Sequence, residues 1–234
     1  MNIERRKWKE EITSIYTLNA KLNMLGAGYI IEPWNLQVRT NKDILDKKYI
    51  EIVEPAKYIG QTSFFQNNNV QAIKLPSTMR SIAEGAFYGC ARIQDVELNE
   101  GLKDIGYRCF CSCTEIRKIK LPSTLVSIGD GAFSGCNKLE EIEIPSGVAE
   151  ISQSMFQGCT ELNTVILNEG IKAIGNYAFY ACVSLKRIVF PKTLEVISPL
   201  AFSKCSNLKE VIFKNKNIVH QLSGIAHQII KYEV

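Results

Sequence analysis

The sequence predicts an α/β solenoid, a coil of short parallel strands stacked turn upon turn, on the strength of three columns of residues. Phe64, Phe87, Phe110, Phe133, Phe156, Phe179 and Phe202 recur at one constant spacing of 23 residues. Ile59, Ile82, Ile105, Ile128, Ile151, Ile174 and Ile197 keep the same step. So do Cys90, Cys113, Cys136, Cys159, Cys182 and Cys205. A strict period of roughly 20–30 residues marks stacked coils, each too small to bury its own apolar face.

Taken in order, residues 1–46 read as an N-terminal cap and connector. Trp8, Ile12, Ile15, Tyr16, Leu22 and Leu25 fall near helical spacing, which predicts an amphipathic helix over residues 4–25. Such a helix would cover the open apolar end of the first coil. Residues 26–46, with Gly26, Gly28, Pro33 and Trp34, read as a connector and a degenerate first turn.

Residues 47–216 form the solenoid proper, with seven full coils and a half-coil. Residues 116–138 show one unit most clearly. Ile119 and Leu121 alternate at period 2 and mark a short half-buried strand. Pro122 has no N–H to give a ladder and ends it. Leu125 and Ile128 return inward from a second extended piece, Gly129 and Gly131 relax the corner, Ala132 and Phe133 fill the core, and Cys136 closes the turn. The Pro122 column holds Pro76, Pro145 and Pro191, but Asn99 and Asn168 interrupt it, so two turns read Asn-Glu-Gly instead. At about 4.8 Å per coil the stack should be about 35 Å long. Residues 217–234 make a C-terminal cap, where Val219, Leu222, Ile225, Ala226, Ile229 and Ile230 predict a second helix, weakened by Gly224.

These units resemble leucine-rich repeats of the BspA type, which read L-x-x-I-x-I-P-x-x-L-x-x-I-G-x-x-A-F-x-x-C. The resemblance covers residues 47–213 and rests on Pro, Gly, Ala-Phe and Cys at fixed offsets. It implies a right-handed coil and an interaction module. It also implies an association with bacterial or protozoan cell surfaces and with adhesion to host proteins.

Composition narrows the function classes. A net charge of +4, with lysines interleaved among acids, excludes a nucleic-acid footprint. The longest weakly apolar stretch, residues 24–31, is far too short to cross a bilayer, so no membrane insertion is expected. The first residues carry no apolar h-region, so a cytoplasmic location is expected of the chain as written. The cell surface is the alternative if the chain is a processed or truncated piece. Six of the eight cysteines share one column, where parallel Cβ vectors disfavour disulfides and favour a buried column of small hydrophobes. In Cys109-Phe110-Cys111-Ser112-Cys113 only Cys111 is off-pattern, and it is expected to face solvent. His220 and His227 stand seven residues apart, too distant to share a metal directly. No catalytic, metal or cofactor-binding residue is assigned, and no cofactor is expected.

The outward positions between the buried columns say more. One stripe reads Glu51, Lys74, Glu97, Lys120, Glu143, then Ile166, Val189 and Ile212. Its neighbour reads Tyr49, Ala72, Asp95, Lys118, Glu141, Thr164, Arg187 and Glu210. Alternating charge explains the first half as a solvated ladder. Ile166, Val189 and Ile212, rimmed by Thr164, Arg187 and Glu210, predict an apolar strip for protein contact. The competing explanations are that the C-terminal helix folds over the strip, or that the neighbouring branched side chains merely pack together. The expected function is a non-enzymatic protein-binding scaffold, monomeric or weakly homodimeric, with a protein partner of unspecified identity. A cell-surface adhesin or structural element is the alternative.

Overall fold

The computed structural model describes residues 15, 18–20, 29–32, 37–40, 47–215 and 229–232. Ahead of the coils, β1 (Tyr29–Ile31) and β2 (Gln37–Thr40) form an antiparallel hairpin. The coils contribute β3 (Tyr49–Glu51) and β4 (Tyr58–Ile59), β5 (Ala72–Lys74) and β6 (Ser81–Ile82), then β7 (Asp95–Glu97) and β8 (Asp104–Ile105). Next come β9 (Ser127–Ile128), β10 (Glu141–Ile144) and β11 (Glu150–Ile151), and β12 (Thr164–Leu167) with β13 (Ala173–Ile174). The stack ends with β14 (Arg187–Phe190) and β15 (Val196–Ile197), β16 (Glu210–Phe213), and β17 (Ile230–Tyr232). Coil-to-coil pairing is parallel at the 23-residue offset, as in Ile50↔Ile73 and Ile82↔Ile105. The result is a β-solenoid whose apolar residues form one continuous column through the middle of the stack.

Three lines of contact run along it. The second strands make the longest ladder, β2-β4-β6-β8-β9, with β11-β13-β15 beyond it. The phenylalanine turn makes another. Phe64, Phe87, Phe110, Phe133, Phe156 and Phe179 each donate their N–H to a carbonyl of the following coil, at 2.7–3.0 Å. Their rings stack face to face, with centroids 5.0–5.8 Å apart from Phe64 through Phe179 and on to Phe202. One position of this turn takes positive φ in each of the first six coils: Gly85 and Gly131 supply it freely, while Thr62, Arg108, Ser154 and Tyr177 adopt it at φ 48–57°. The turn's shape is imposed by its neighbours in the stack, because it holds where the residue type disfavours it.

The thiol column has a function beyond filling space. Each thiol donates to the carbonyl of the phenylalanine 26 residues earlier, from Cys90 Sγ to Phe64 O at 2.9 Å to Cys205 Sγ to Phe179 O at 2.9 Å. The thiols are weak S–H donors that satisfy carbonyls inside the stack. Asn67 takes the place of a cysteine in the first coil, where its Oδ1 accepts the N–H of Asn69 and Val70. All eight cysteines are free.

The structure corrects several expectations. Helical caps are not supported. Among the described residues α-helical backbone occurs only at Ile15 and residues 18–20, with Ile229 in a 3-10 position, while Trp8, Ile12, Tyr16, Leu22 and Leu25 lie outside the described residues. The N-terminal side of the stack is instead extended by the hairpin, with β2 pairing in parallel with β4. Asn19 ties the helical residues to it by donating to the Ile31 carbonyl and accepting the Ile31 N–H, at 2.6 and 2.8 Å. At the other end Ile230 belongs to a strand, since β17 adds to β16 in parallel and continues the sheet. Val219, Leu222, Ile225 and Ala226, like both histidines, lie outside the described residues. Cys111 does not face solvent; it is 8% exposed, with Sγ 3.7 Å from Ser112 Oγ.

Candidate protein-binding face

The first strands build the face that carries the outward stripes. Alternation buries Ile50, Ile73, Ile142 and Ile188 and turns Glu51, Lys74, Glu97, Lys120 and Glu143 outward. Lys118 bridges Glu141 at 2.8 Å, and Arg187 bridges Glu210 at 2.7 Å. The Glu141 hydrogen bond raises the Lys118 pKa. Glu210 also binds the Lys231 ammonium, and Lys231 first, with Arg187, holds its carboxyl below the usual range. Exposed pairs of this kind fix register more than they stabilise.

The predicted strip is only partly assembled. Ile166 is 48% exposed and Val189 is half-buried, but Ile212 is 5% exposed. Ile212 is removed because β17 lies beside β16 and sets Lys231 against it. Thr164 and Arg187 remain exposed, and Glu210 is partly covered. The exposed apolar part of the stripe is therefore Ile166 with part of Val189.

This sheet is interrupted, which the sequence pattern did not reveal. It divides into β3-β5-β7, β10-β12 and β14-β16-β17. Between the first two sections, Lys118 forms only an isolated bridge to Glu141. Both interruptions follow a strand that runs into an Asn-Glu-Gly turn, β7 before Asn99 and β12 before Asn168. The departure from proline at these two positions is the signal that could have found them.

The same turns clamp the next coil. Glu100 accepts from Ser123 N–H and Oγ at 3.2 and 3.0 Å, and Gly101 N–H donates to Thr124 Oγ1 at 2.8 Å. The Ser123 N–H chiefly holds the Glu100 carboxyl below its ordinary range. Glu169 and Gly170 repeat the device on Lys192 and Thr193. An open groove lies at the second interruption, lined by Thr164, Ile166, Asn168, Arg187, Val189 and Lys214 among others. Two of the predicted contact residues, Ile166 and Val189, thus stand on opposite sides of a gap in the sheet. Among the described residues no cluster of three metal-ligating side chains occurs, and no helix is long and apolar enough to cross a membrane.

A family profile described as the BspA type leucine rich repeat region matches this chain in six copies, over residues 43–159 and 126–224. The chain belongs to the BspA-type leucine-rich repeat family. Among solved structures, this BspA-type chain is similar to a leucine-rich cell surface protein of Faecalibacterium prausnitzii, with 27% identity and a TM-score of 0.70. That similarity covers 80% of this chain and 53% of the other, so the chain spans about half the length of that relative. The leucine-rich repeat protein of T. pallidum matches with 22% identity and a TM-score of 0.52, over 67% of this chain and 86% of that one. The pneumococcal vaccine antigen PcpA matches with 14% identity and a TM-score of 0.54, over 89% and 47%. The latter two likenesses concern the fold alone. No curated protein sequence matches the chain.

Proposed function

We propose that this BspA-type repeat protein is a non-enzymatic scaffold that binds another protein through its first-strand face around Ile166. The observation that carries the proposal is a half-exposed isoleucine at the rim of an open groove, in a stripe whose preceding positions are all charged. A rigid preformed stack presents such a surface with little loss of conformational entropy on docking. Ile166 and Val189 supply the apolar centre, with Thr164, Arg187 and Glu210 as the polar rim.

A second reading, display at a cell surface with adhesion to host or matrix proteins, is favoured by the 27% identical relative described as a cell surface protein. Capture experiments test both. Immobilised wild type and Ile166→Lys/Val189→Lys, matched for thermal melting, are exposed to source-cell lysate and separately to extracellular-matrix protein. A partner retained by wild type and lost by the double variant supports the face, and the pool that supplies it chooses between the two settings. Equal retention by both overturns the assignment of binding to Ile166 and Val189.

A further inference from the structure

The column beside Ile166 has a symmetry of its own. Along the stack it reads Lys118, Glu141, Thr164, Arg187, Glu210. Lys118 pairs with Glu141 and Arg187 with Glu210 within the chain. The order of charges is therefore positive, negative, neutral, positive, negative. Read backwards from Thr164 it is its own complement.

That property has a geometric meaning. Let the face meet a second copy of itself, turned by a half-rotation about an axis parallel to the strands. The rotation inverts the order of coils but keeps each column against its own counterpart. Lys118 then opposes Glu210 of the second copy, and Glu141 opposes Arg187. Thr164 meets Thr164 and Ile166 meets Ile166 at the centre, so the most exposed apolar side chain of the stripe is covered, while Glu143 opposes the half-buried Val189. The next column adds Glu140 against Lys186. Against these, Arg117 opposes Lys209, a like pair softened because Arg117 already binds Glu140 at 2.7 Å and reaches Glu161 at 3.9 Å. The wider composition agrees: residues 139–170 hold six glutamates and no Lys or Arg, whereas residues 171–216 hold eight Lys or Arg and two glutamates. The coil immediately before that of Thr164 is thus negative and the coil immediately after it positive.

We infer that the partner of this face is a second copy of the chain, joined in an isologous two-fold contact centred on Thr164 and Ile166. The inference rests on the reading of this face as a protein-binding surface and names its occupant. Five coils span only about 20–25 Å of stack. The contact is therefore small, and the dimer is weak and salt-sensitive.

Sedimentation equilibrium and light scattering test it over protein concentrations of roughly 10 μM to 1 mM, the range of a weak contact. Wild type should dimerise with rising concentration at low salt and dissociate at about 0.5 M salt. Glu141→Arg alone sets two like pairs in each dimer by symmetry, and so does Arg187→Glu alone. Each variant should lose at least about tenfold in association constant. Mixed one to one, the two variants should associate with each other, because the opposed pairs at positions 141 and 187 are again complementary. The double variant Glu141→Arg/Arg187→Glu should recover self-association. Thermal melts of each variant exclude unfolding as the cause.

A wild type that stays monomeric throughout overturns the inference, as do single variants that dimerise like wild type or fail to pair when mixed. These charge exchanges leave Ile166 and Val189 in place. A monomeric wild type therefore removes the second copy as occupant without deciding the capture experiment, which fails or succeeds on its own.

Discussion

The phenylalanine edge and the first-strand face repeat with the same 23-residue period, yet they differ in continuity. On the phenylalanine edge, hydrogen bonds, stacked rings and thiol donors run through successive coils, and the buried residues there are close to fully covered. On the strand face the ladder stops twice, both times at an Asn-Glu-Gly turn, and charged pairs replace apolar cover. Of these two lines, the phenylalanine edge carries the cohesion. The other line is left free to vary in chemistry, and there the candidate binding residues sit.

The largest expected effect attacks the cohesive edge through pH. Burial pushes the thiols up, Cys205 to about 11 and Cys90 to about 12, with Cys109, Cys113, Cys136, Cys159 and Cys182 raised as well. An unfolded thiol ionises near pH 8.5. Below that pH both states hold the proton and the stability is fully present. Above it the unfolded chain sheds protons that the folded chain keeps, so stability falls as pH rises towards the folded values. The slope is about 1.4 kcal/mol per pH unit for each thiol fully ionised in the unfolded chain only. Seven such groups are enough to exhaust a stability of about 5–15 kcal/mol within one to two pH units. Urea midpoints measured between pH 8 and 10 should drop steeply before lysine and tyrosine titrate. A flat profile would mean the thiols are not buried as a column.

Next in size is Phe133→Ala. Phe133 is fully buried, stacked on Phe110 and Phe156, and its carbonyl accepts the Cys159 thiol. Removing the ring should cost about 3–5 kcal/mol by leaving a cavity. Lys120→Ala, on the exposed strand face, should stay within about 0.5 kcal/mol of wild type in the same denaturant titration. Equal effects at the two sites would erase the contrast between edge and face.

How much of this was legible in the sequence follows from the same contrast. The core columns were, because a strict period forces each coil to place Ile, Phe and Cys where its neighbours do. The outward assignment of Ile166 was legible for the same reason. Ile212 was not, because nothing in the repeat shows that the chain returns as β17 beside the last coil. Ile230 was misread since an apolar run of that length suits a helix as well as a strand. Cys111 looked exposed from its column alone, whereas the structure buries it.

The smallest of the larger effects tests whether the breaks in the face depend on their turns. Gly170 sits at φ +115°, and a Cβ there would lie 2.2 Å from the Ser146 carbonyl oxygen. Alanine at this position must move backbone, so Gly170→Ala should cost about 2–3 kcal/mol. Gly158, on the phenylalanine turn, has φ +74° and no neighbour closer than 3.9 Å to an added Cβ. Gly158→Ala therefore meets only the left-handed backbone penalty, about 1–2 kcal/mol. Amide hydrogen exchange read alongside the melts separates the two. In Gly170→Ala the extra exchange should be confined to β12, β14 and the groove between them, because the Glu169 clamp on Lys192 and Thr193 is displaced with the turn. If protection falls evenly along the stack instead, the interruption at β12 is not set by its Asn-Glu-Gly corner, and the two lines of the solenoid are less independent than their hydrogen bonding suggests.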